Sequence, residues 1–169
     1  MATSTHNPKN FYDNIVDGKD LQRAYLFKVL ITIQGNNTKE FFIRSSTLPT
    51  ETVEAIIVPR LNSEVKYAGK VKYNDWSVDV IDNTNMDNFK IFRDYQNKVY
   101  DSKSGKLSQK DKYIGRATVE LLNGSIEKTY SYILKNLWIS SLEPPQVVYG
   151  SSDLFKFKAV FKYDIFETK

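Results

Sequence analysis

The chain has 169 residues, 41% hydrophobic, 14% aromatic and 26% charged, with 7 Gly and 5 Pro, a balance that predicts one folded domain over residues 1–169. There is no cysteine and a single histidine, His6, so disulfides, thiolate catalysis, cysteine- or histidine-based metal sites and Ser-His-Asp triads lack their parts. A formal charge of +4 permits nucleic-acid contact without indicating it; no apolar run approaches the roughly 18 residues of a membrane span, which argues against stable membrane insertion of the monomer.

Residues 1–20 read as a flexible or docked N-terminal segment, with Phe11, Tyr12 and Ile15 as its few apolar groups. From Tyr25 the period is two: Tyr25, Phe27, Val29, Ile31 and Ile33 share one face of a strand that ends at the turn signal Gly35-Asn36-Asn37, and residues 38–46 read as its hairpin partner. Leu26 and Leu30 on the opposite face imply cover on both sides. Leu48-Pro49, an extended stretch from Glu51 to Val58, Pro59 and a polar arm to Gly69 follow; proline at both ends suits edge or loop backbone. Val71 to Ile81 reads as one strand with Trp76, Val78 and Val80 on one face.

Asp82-Asn83-Thr84-Asn85 offers N-caps for a helix over about 85–100, because Met86, Phe89, Phe92, Tyr95 and Val99 recur at three- and four-residue spacing. Residues 101–113 read as a solvated loop. Strand signals return from Ile114 to Leu122, Asn123-Gly124 predicts a type I′ turn, and its long partner places Ile126, Lys128, Tyr130, Tyr132, Leu134 and Trp138 on one face, interrupted by Asn136. After Pro144-Pro145 and Ser151-Ser152-Asp153, alternation from Phe155 to Ile165 predicts a single strand of roughly 35–40 Å. The expected core is Phe27, Val29, Ile31, Trp76, Val78, Val80, Phe89, Phe92, Leu137, Trp138, Phe157 and Phe161.

Nucleotide cradles, zincin motifs and nucleophile elbows are all missing from the sequence. Asp75, Asp79 and Asp82 form the best carboxylate cluster, read as solvated rather than catalytic. The run DNTNMD at 82–87 lacks the glycine and distal glutamate of a calcium loop and reads as helix capping. Lys98, Lys103, Lys106, Lys110, Lys112 and Arg116 make a basic stretch without interleaved aromatics, and Lys156, Lys158 and Lys162 a stripe that could protect an edge. No catalytic, cofactor-binding or metal site is expected. Long aromatic strands with one helix leave sheet faces and edges for neighbouring copies to cover, and heterologous contacts repeated by a rotation close into a ring.

Residues 46–82 resemble the tail tube proteins of contractile-tailed bacteriophages, a family related in fold to the type VI secretion tube. The shared elements are Leu48-Pro49, Glu54-Ala55-Ile56-Ile57-Val58-Pro59, Ala68-Gly69 and Asp75-Trp76-Ser77-Val78-Asp79-Val80, in that order before the helix. Leu137-Trp138 resembles the family's Gly-Leu-Trp element with Asn136 in place of glycine, and 157–164 its closing strand; the similarity spans about residues 21–167.

The resemblance implies a mainly β protomer, an antiparallel β-sandwich or barrel with one outer helix. Six protomers would form a ring with a continuous inner β-barrel, and rings would stack into a tube. It implies a structural, non-enzymatic subunit that templates the tail sheath, meets a baseplate tube initiator, holds the tape measure protein in its lumen, penetrates the host envelope on contraction and conducts double-stranded DNA without sequence preference. It places the protein in the virion tail, and in the host cytoplasm during assembly. By position, the inter-ring stacking arm falls at Leu48, Pro49, Glu51, Pro59, Asn62, Lys66, Tyr67 and Gly69. Sliding DNA requires that Lys156, Lys158 and Lys162 lie outside the lumen or be balanced by neighbours such as Glu120, Glu127 or Asp164. Two alternatives keep or discard the tube: a subunit of a headless contractile device, such as a bacteriocin or type VI secretion tube, or a soluble β-barrel that binds a small apolar ligand.

Overall fold

The structure, a computed structural model, describes residues 22–33, 38–145, 147, 149–150 and 153–169. The N-terminal segment 1–20 and the turn at 35–37 lie outside the described residues.

In chain order the strands are β1 (Phe27–Thr32), β2 (Lys39–Glu40), β3 (Ile43–Ser46), β4 (Glu51–Arg60), β5 (Ser63–Tyr73) and β6 (Trp76–Ile81), then helix α1 (Asp87–Val99). After it come β7 (Tyr100–Asp101), β8 (Lys106–Leu107), β9 (Gly115–Leu122), β10 (Lys128–Glu143), β11 (Lys156–Lys162) and β12 (Ile165–Thr168). The pairings are antiparallel throughout, so the fold is mainly β with one helix.

Two sheets share β10. Its first half pairs with β9 and β12 in a sheet ordered β2-β1-β9-β10-β12, and its second half with β11, which continues through β6 to β3. The crossover sits at Asn136, where the ladder with β9 skips a residue and φ is 54°. Asparagine tolerates this left-handed conformation, and the added residue bends the strand. The bulge also reverses which side chains point inward. Leu134, Leu137 and Ile139 are buried while Trp138 turns out of the core, half-buried against the Tyr113 ring at 6.2 Å. An unbroken alternation, which puts Trp138 with Leu134, is therefore corrected by one residue.

The core lies between the inner faces. Val29, Ile31, Ala117, Val119 and Leu134 from one sheet meet Trp76, Val78, Val80, Phe157, Ala159 and Phe161 from the other. Burying these side chains stabilises the fold by roughly 1.5–3 kcal/mol each for the larger ones. Phe27 and Phe89, expected in the core, are half-buried at its margin.

Helix α1 closes one end of the sandwich. Phe92, Tyr95 and Val99 are its buried residues; the Phe92 ring meets Phe41, Phe157 and Phe161 edge-on at 4.9, 5.3 and 5.9 Å. Asp82 holds its N-terminus. One carboxylate oxygen accepts the Asn88 N–H at 3.1 Å and the other the Phe89 N–H at 2.8 Å, while Asn83 Oδ1 accepts the Asp87 N–H. These are donors left unpaired by the helix itself.

Three further expectations are corrected. Only Lys39–Glu40 of the 38–46 stretch pairs with β1; Ile43–Ser46 crosses to the opposite sheet and pairs with β6. The Val71–Ile81 strand breaks at Asn74-Asp75, between the β4–β5 hairpin and the sandwich. The closing strand breaks at Tyr163-Asp164, because β11 and β12 pair with different halves of β10.

The Asn123-Gly124 turn forms, but not as type I′. The positive φ falls on Ile126, at 64°, after a turn closed by the Ile126 N–H to Asn123 carbonyl bond at 3.0 Å. Asn123 Oδ1 also accepts the Ser125 and Glu127 N–H groups, which secures the wider loop.

Candidate assembly surface

β4 and β5 pair only with each other and form a two-stranded arm spanning roughly 33 Å, at about 3.3 Å per residue. Every residue of β4 is exposed. A bulge on β5 at Gly69-Lys70, opposite Glu54, interrupts the arm: the register runs Val53↔Val71, skips, and resumes at Ala55↔Ala68 and Ile56↔Tyr67. Register and alternation place Ile56, Val58, Val65 and Tyr67 on one face, with the Lys72–Glu54 pair toward its root, and Val53, Ala55, Ile57, Lys66, Ala68 and Val71 on the other.

Gly69 is one of the two bulged residues that face Glu54. A Cβ there would stand 2.8 Å from the Glu54 carbonyl oxygen and 3.0 Å from Ile56 Cγ1, so a side chain would force the bulge open. Of the other residues assigned to the arm, Glu51, Pro59, Lys66 and Tyr67 lie along the hairpin and Asn62 in its turn, beside Leu61 at φ 49°. Leu48 and buried Pro49 form the lead-in. The root is tied to the sandwich by the Asn74 N–H to Thr50 carbonyl bond at 3.0 Å and by the Tyr163 hydroxyl donating to the same carbonyl at 3.3 Å.

The solvent face of the sheet β2-β1-β9-β10-β12 is polar and internally paired. Register places Lys28, Leu30 and Thr32 beside Glu120, Thr118 and Arg116, then Ile133 and Lys135 with Ser131 buried in the same row, then Glu167 and Ile165. Lys28 pairs with Glu40 at 3.0 Å, Lys128 with Glu120 at 3.8 Å, and Lys135 with Glu167. The Lys135 ammonium holds the Glu167 carboxyl below the usual carboxylate range.

The lysine stripe of β11 lies on the other sheet. Lys162 pairs with Asp75 at 3.6 Å, and register sets Lys158 between Glu143 and Asp79. The expected balancing groups are engaged elsewhere: Asp164 bonds Lys110 and Asn136, Glu120 bonds Lys128 and Glu127 bonds Asn123. The three carboxylates weighed for catalysis are separated in role, since Asp82 caps α1, Asp79 accepts the Ser45 hydroxyl at 2.5 Å and Asp75 faces Lys162. Among the described residues no group of His, Cys, Asp and Glu has the arrangement of a metal site, and no helix is long and apolar enough to cross a membrane.

Against this geometry, the family model described as phage tail tube protein matches residues 21–169. The chain belongs to the phage tail tube protein family. It is a structural subunit of a tail tube, with a tail-associated location in the virion. Solved structures agree on the fold of this tail tube protein. The sheath-tube complex of an extracellular contractile injection system in its extended state is similar at a TM-score of 0.69 and 14% identity, covering 99% of each chain. The tube-terminating cap of the anti-feeding prophage aligns at a TM-score of 0.72 and 13% identity, covering 100% of this chain and 99% of that one. Hcp1 from Salmonella typhimurium is more distant, at a TM-score of 0.52 and 10% identity, with 85% of each chain covered. No curated protein matches.

Proposed function

We propose that six copies of this tail tube protein form a ring and that rings stack into the hollow tube through which double-stranded DNA leaves the virion. The sheet β2-β1-β9-β10-β12 supports ring closure, because its terminal strands β1–β2 and β12 are on opposite sides and can continue into the next copy, as edge strands do. Its solvent face then lines the lumen, where paired charges neither grip phosphate nor leave a uniformly basic wall. The lysines of β11 face away from the lumen.

The arm carries inter-ring contact. The observation behind this reading is its exposed apolar side chains: Ile56 is 56%, Ile57 53% and Tyr67 60% exposed. An isolated two-stranded hairpin is marginal in water, and a patch of this kind marks an interaction site. The assembled tube binds sheath protein on its outside, starts from a baseplate initiator, holds a tape measure protein before ejection, and is built in the host cytoplasm. The same fold serves headless injection devices; the phage reading is preferred because the family model is that of phage tubes. A three-dimensional reconstruction of assembled tubes tests it. Sixfold rings with Lys135 and Glu167 on the lumen wall are expected; a lumen lined by Lys156, Lys158 and Lys162 overturns the assignment.

A further inference from the structure

An open cleft of about 860 Å³ separates the margins of the two sheets where the chain crosses from β2 to β3. Phe27, Phe41 and Val119 line its floor, and Tyr25, Phe42 and Leu48 its rim. The rim side chains are strongly exposed, Tyr25 69%, Phe42 72% and Leu48 42%, so the described residues leave an apolar recess uncovered. Gln22 and Arg23 stand on its wall. The Gln22 side-chain amide donates to the Leu122 carbonyl at 2.9 Å, and the Leu26 N–H to the Arg23 carbonyl at 3.1 Å, which fixes the cleft wall as the place where residues 1–21 depart.

We propose that residues 11–16 of the same chain, Phe11-Tyr12-Asp13-Asn14-Ile15-Val16, occupy this cleft and cover its apolar floor. Met1 aside, they hold all the large apolar side chains of residues 1–20. At 3.6 residues per turn, one helical turn would gather Phe11, Tyr12, Ile15 and Val16 on an arc of about 140° and point Asp13, Asn14 and Asp17 away from it, the pattern of a segment with one face to bury. Ile15 stands seven residues before Gln22 and Phe11 eleven. The connection therefore spans roughly 10–17 Å if helical and about 23–36 Å if extended, so both side chains reach the cleft from its own wall. A tether this short holds the segment at an effective concentration of order millimolar, which favours it over a second copy at micromolar concentration. Phe11 and Tyr12 can each bury about 150–250 Å², a cover suited to the exposed rim of Tyr25, Phe42 and Leu48. A seat within one protomer holds whether or not copies assemble.

The chain has no cysteine, so two introduced ones form a unique pair. Ile15→Cys is combined with Leu48→Cys on the rim or, as a control, with Ser125→Cys in the exposed turn that follows Leu122, the residue Gln22 binds. Both full-length proteins are oxidised under the same conditions at about 1 µM, where the tether favours closure within one chain, and followed by non-reducing electrophoresis and intact mass. The Leu48 pair should close within the monomer at least about tenfold faster than the Ser125 pair. Equal rates would reveal a segment that visits both sites without a seat, and would overturn the proposal. A disulfide-linked dimer in place of the closed monomer also overturns it, by giving the cleft to another copy. Phe11→Asp combined with Ile15→Asp supplies a second readout: binding of the apolar-surface dye ANS should rise several-fold at unchanged far-ultraviolet circular dichroism. Phe11→Ser with Ile15→Ser serves if the aspartate variant fails to fold. Dye binding equal to wild type overturns the assignment of residues 11–16 to the cleft.

Discussion

The hydroxyl of Tyr95 donates to the carbonyl oxygen of Leu137 at 2.7 Å, joining α1 to β10 one residue beyond the bend at Asn136. The bond crosses the point where β10 passes from one sheet to the other, so the helix fixes the angle between the two sheets. Burial pushes the Tyr95 hydroxyl well above the usual tyrosine range, with the Tyr113 charge adding to it, and the group remains a donor at any physiological pH. Gly115 makes room: a Cβ there would lie 3.0 Å from the Tyr95 oxygen and 2.5 Å from the Thr32 carbonyl. Tyr95→Phe should cost about 1–2 kcal/mol in a urea titration, the expense of leaving a buried carbonyl short of a donor, without loss of secondary structure.

The two tryptophans should differ. Trp76 is fully buried, with its indole N–H donating to the Thr47 carbonyl at 2.9 Å and near Ser46 Oγ at 3.1 Å, so Trp76→Ala should cost about 3–5 kcal/mol. Trp138 is half-buried on the outward face after the bulge, and Trp138→Ala should cost about 1–2 kcal/mol. Equilibrium unfolding of both variants checks the order, and an equal loss would place Trp138 in the core.

Ile126 is strained. It is β-branched, holds φ at 64° and is 74% exposed, so it bears the steric cost of the left-handed region with little burial to offset it. Ile126→Gly should raise stability by about 0.5–1 kcal/mol, read as a higher Tm, since glycine removes the clash and gives back only part of the gain in unfolded-state entropy.

Acid should loosen the link between β12 and the loop after α1. The hydrogen bond from Lys110 holds the Asp164 carboxyl below its ordinary value, against some burial, and the Asn136 amide assists. A carboxyl depressed in the folded state contributes stability above its unfolded pKa of about 3.9, and that contribution is lost as pH falls through the folded value. The pair is partly exposed, so its worth is about 0.2–1 kcal/mol. Asp164→Asn should lower the urea midpoint at pH 7, and the difference from wild type should shrink as pH falls below the unfolded carboxyl value of about 3.9.

Much of the fold is legible in residue order because burial imposes period two on strands and 3.6 on the helix: Val29 and Ile31, Trp76 to Val80, and Phe92 and Tyr95 all face inward as their spacing dictates. The readings that fail share a cause. At Asn136, Gly69-Lys70 and Tyr163-Asp164 the chain inserts a residue or changes sheets, and a periodic pattern carries no record of which partner lies alongside. Asn136 at least signals its left-handed backbone; Ile126 gives no such warning, since neighbouring Asn123-Gly124 offers the cheaper positions. The arm is legible as an extended segment between prolines, but its pairing is not, because the β5 bulge at Gly69-Lys70 shifts the register between Val53↔Val71 and Ala55↔Ala68.

Shortening the arm probes the central claim without touching the sandwich. Deleting residues 62–66 removes the turn and the tip pairing Val58↔Val65, and should leave a folded protomer with unchanged far-ultraviolet circular dichroism that stacks poorly. Loss of the fold would show that the arm supports the protomer itself.

The most direct measurement is negative-stain electron microscopy of the purified wild-type protein across a concentration series, with the 62–66 deletion alongside. The account predicts sixfold rings and long hollow tubes for wild type as concentration rises, and isolated or short-stacked rings for the deletion. Monomers alone at every concentration of the wild-type chain would contradict it.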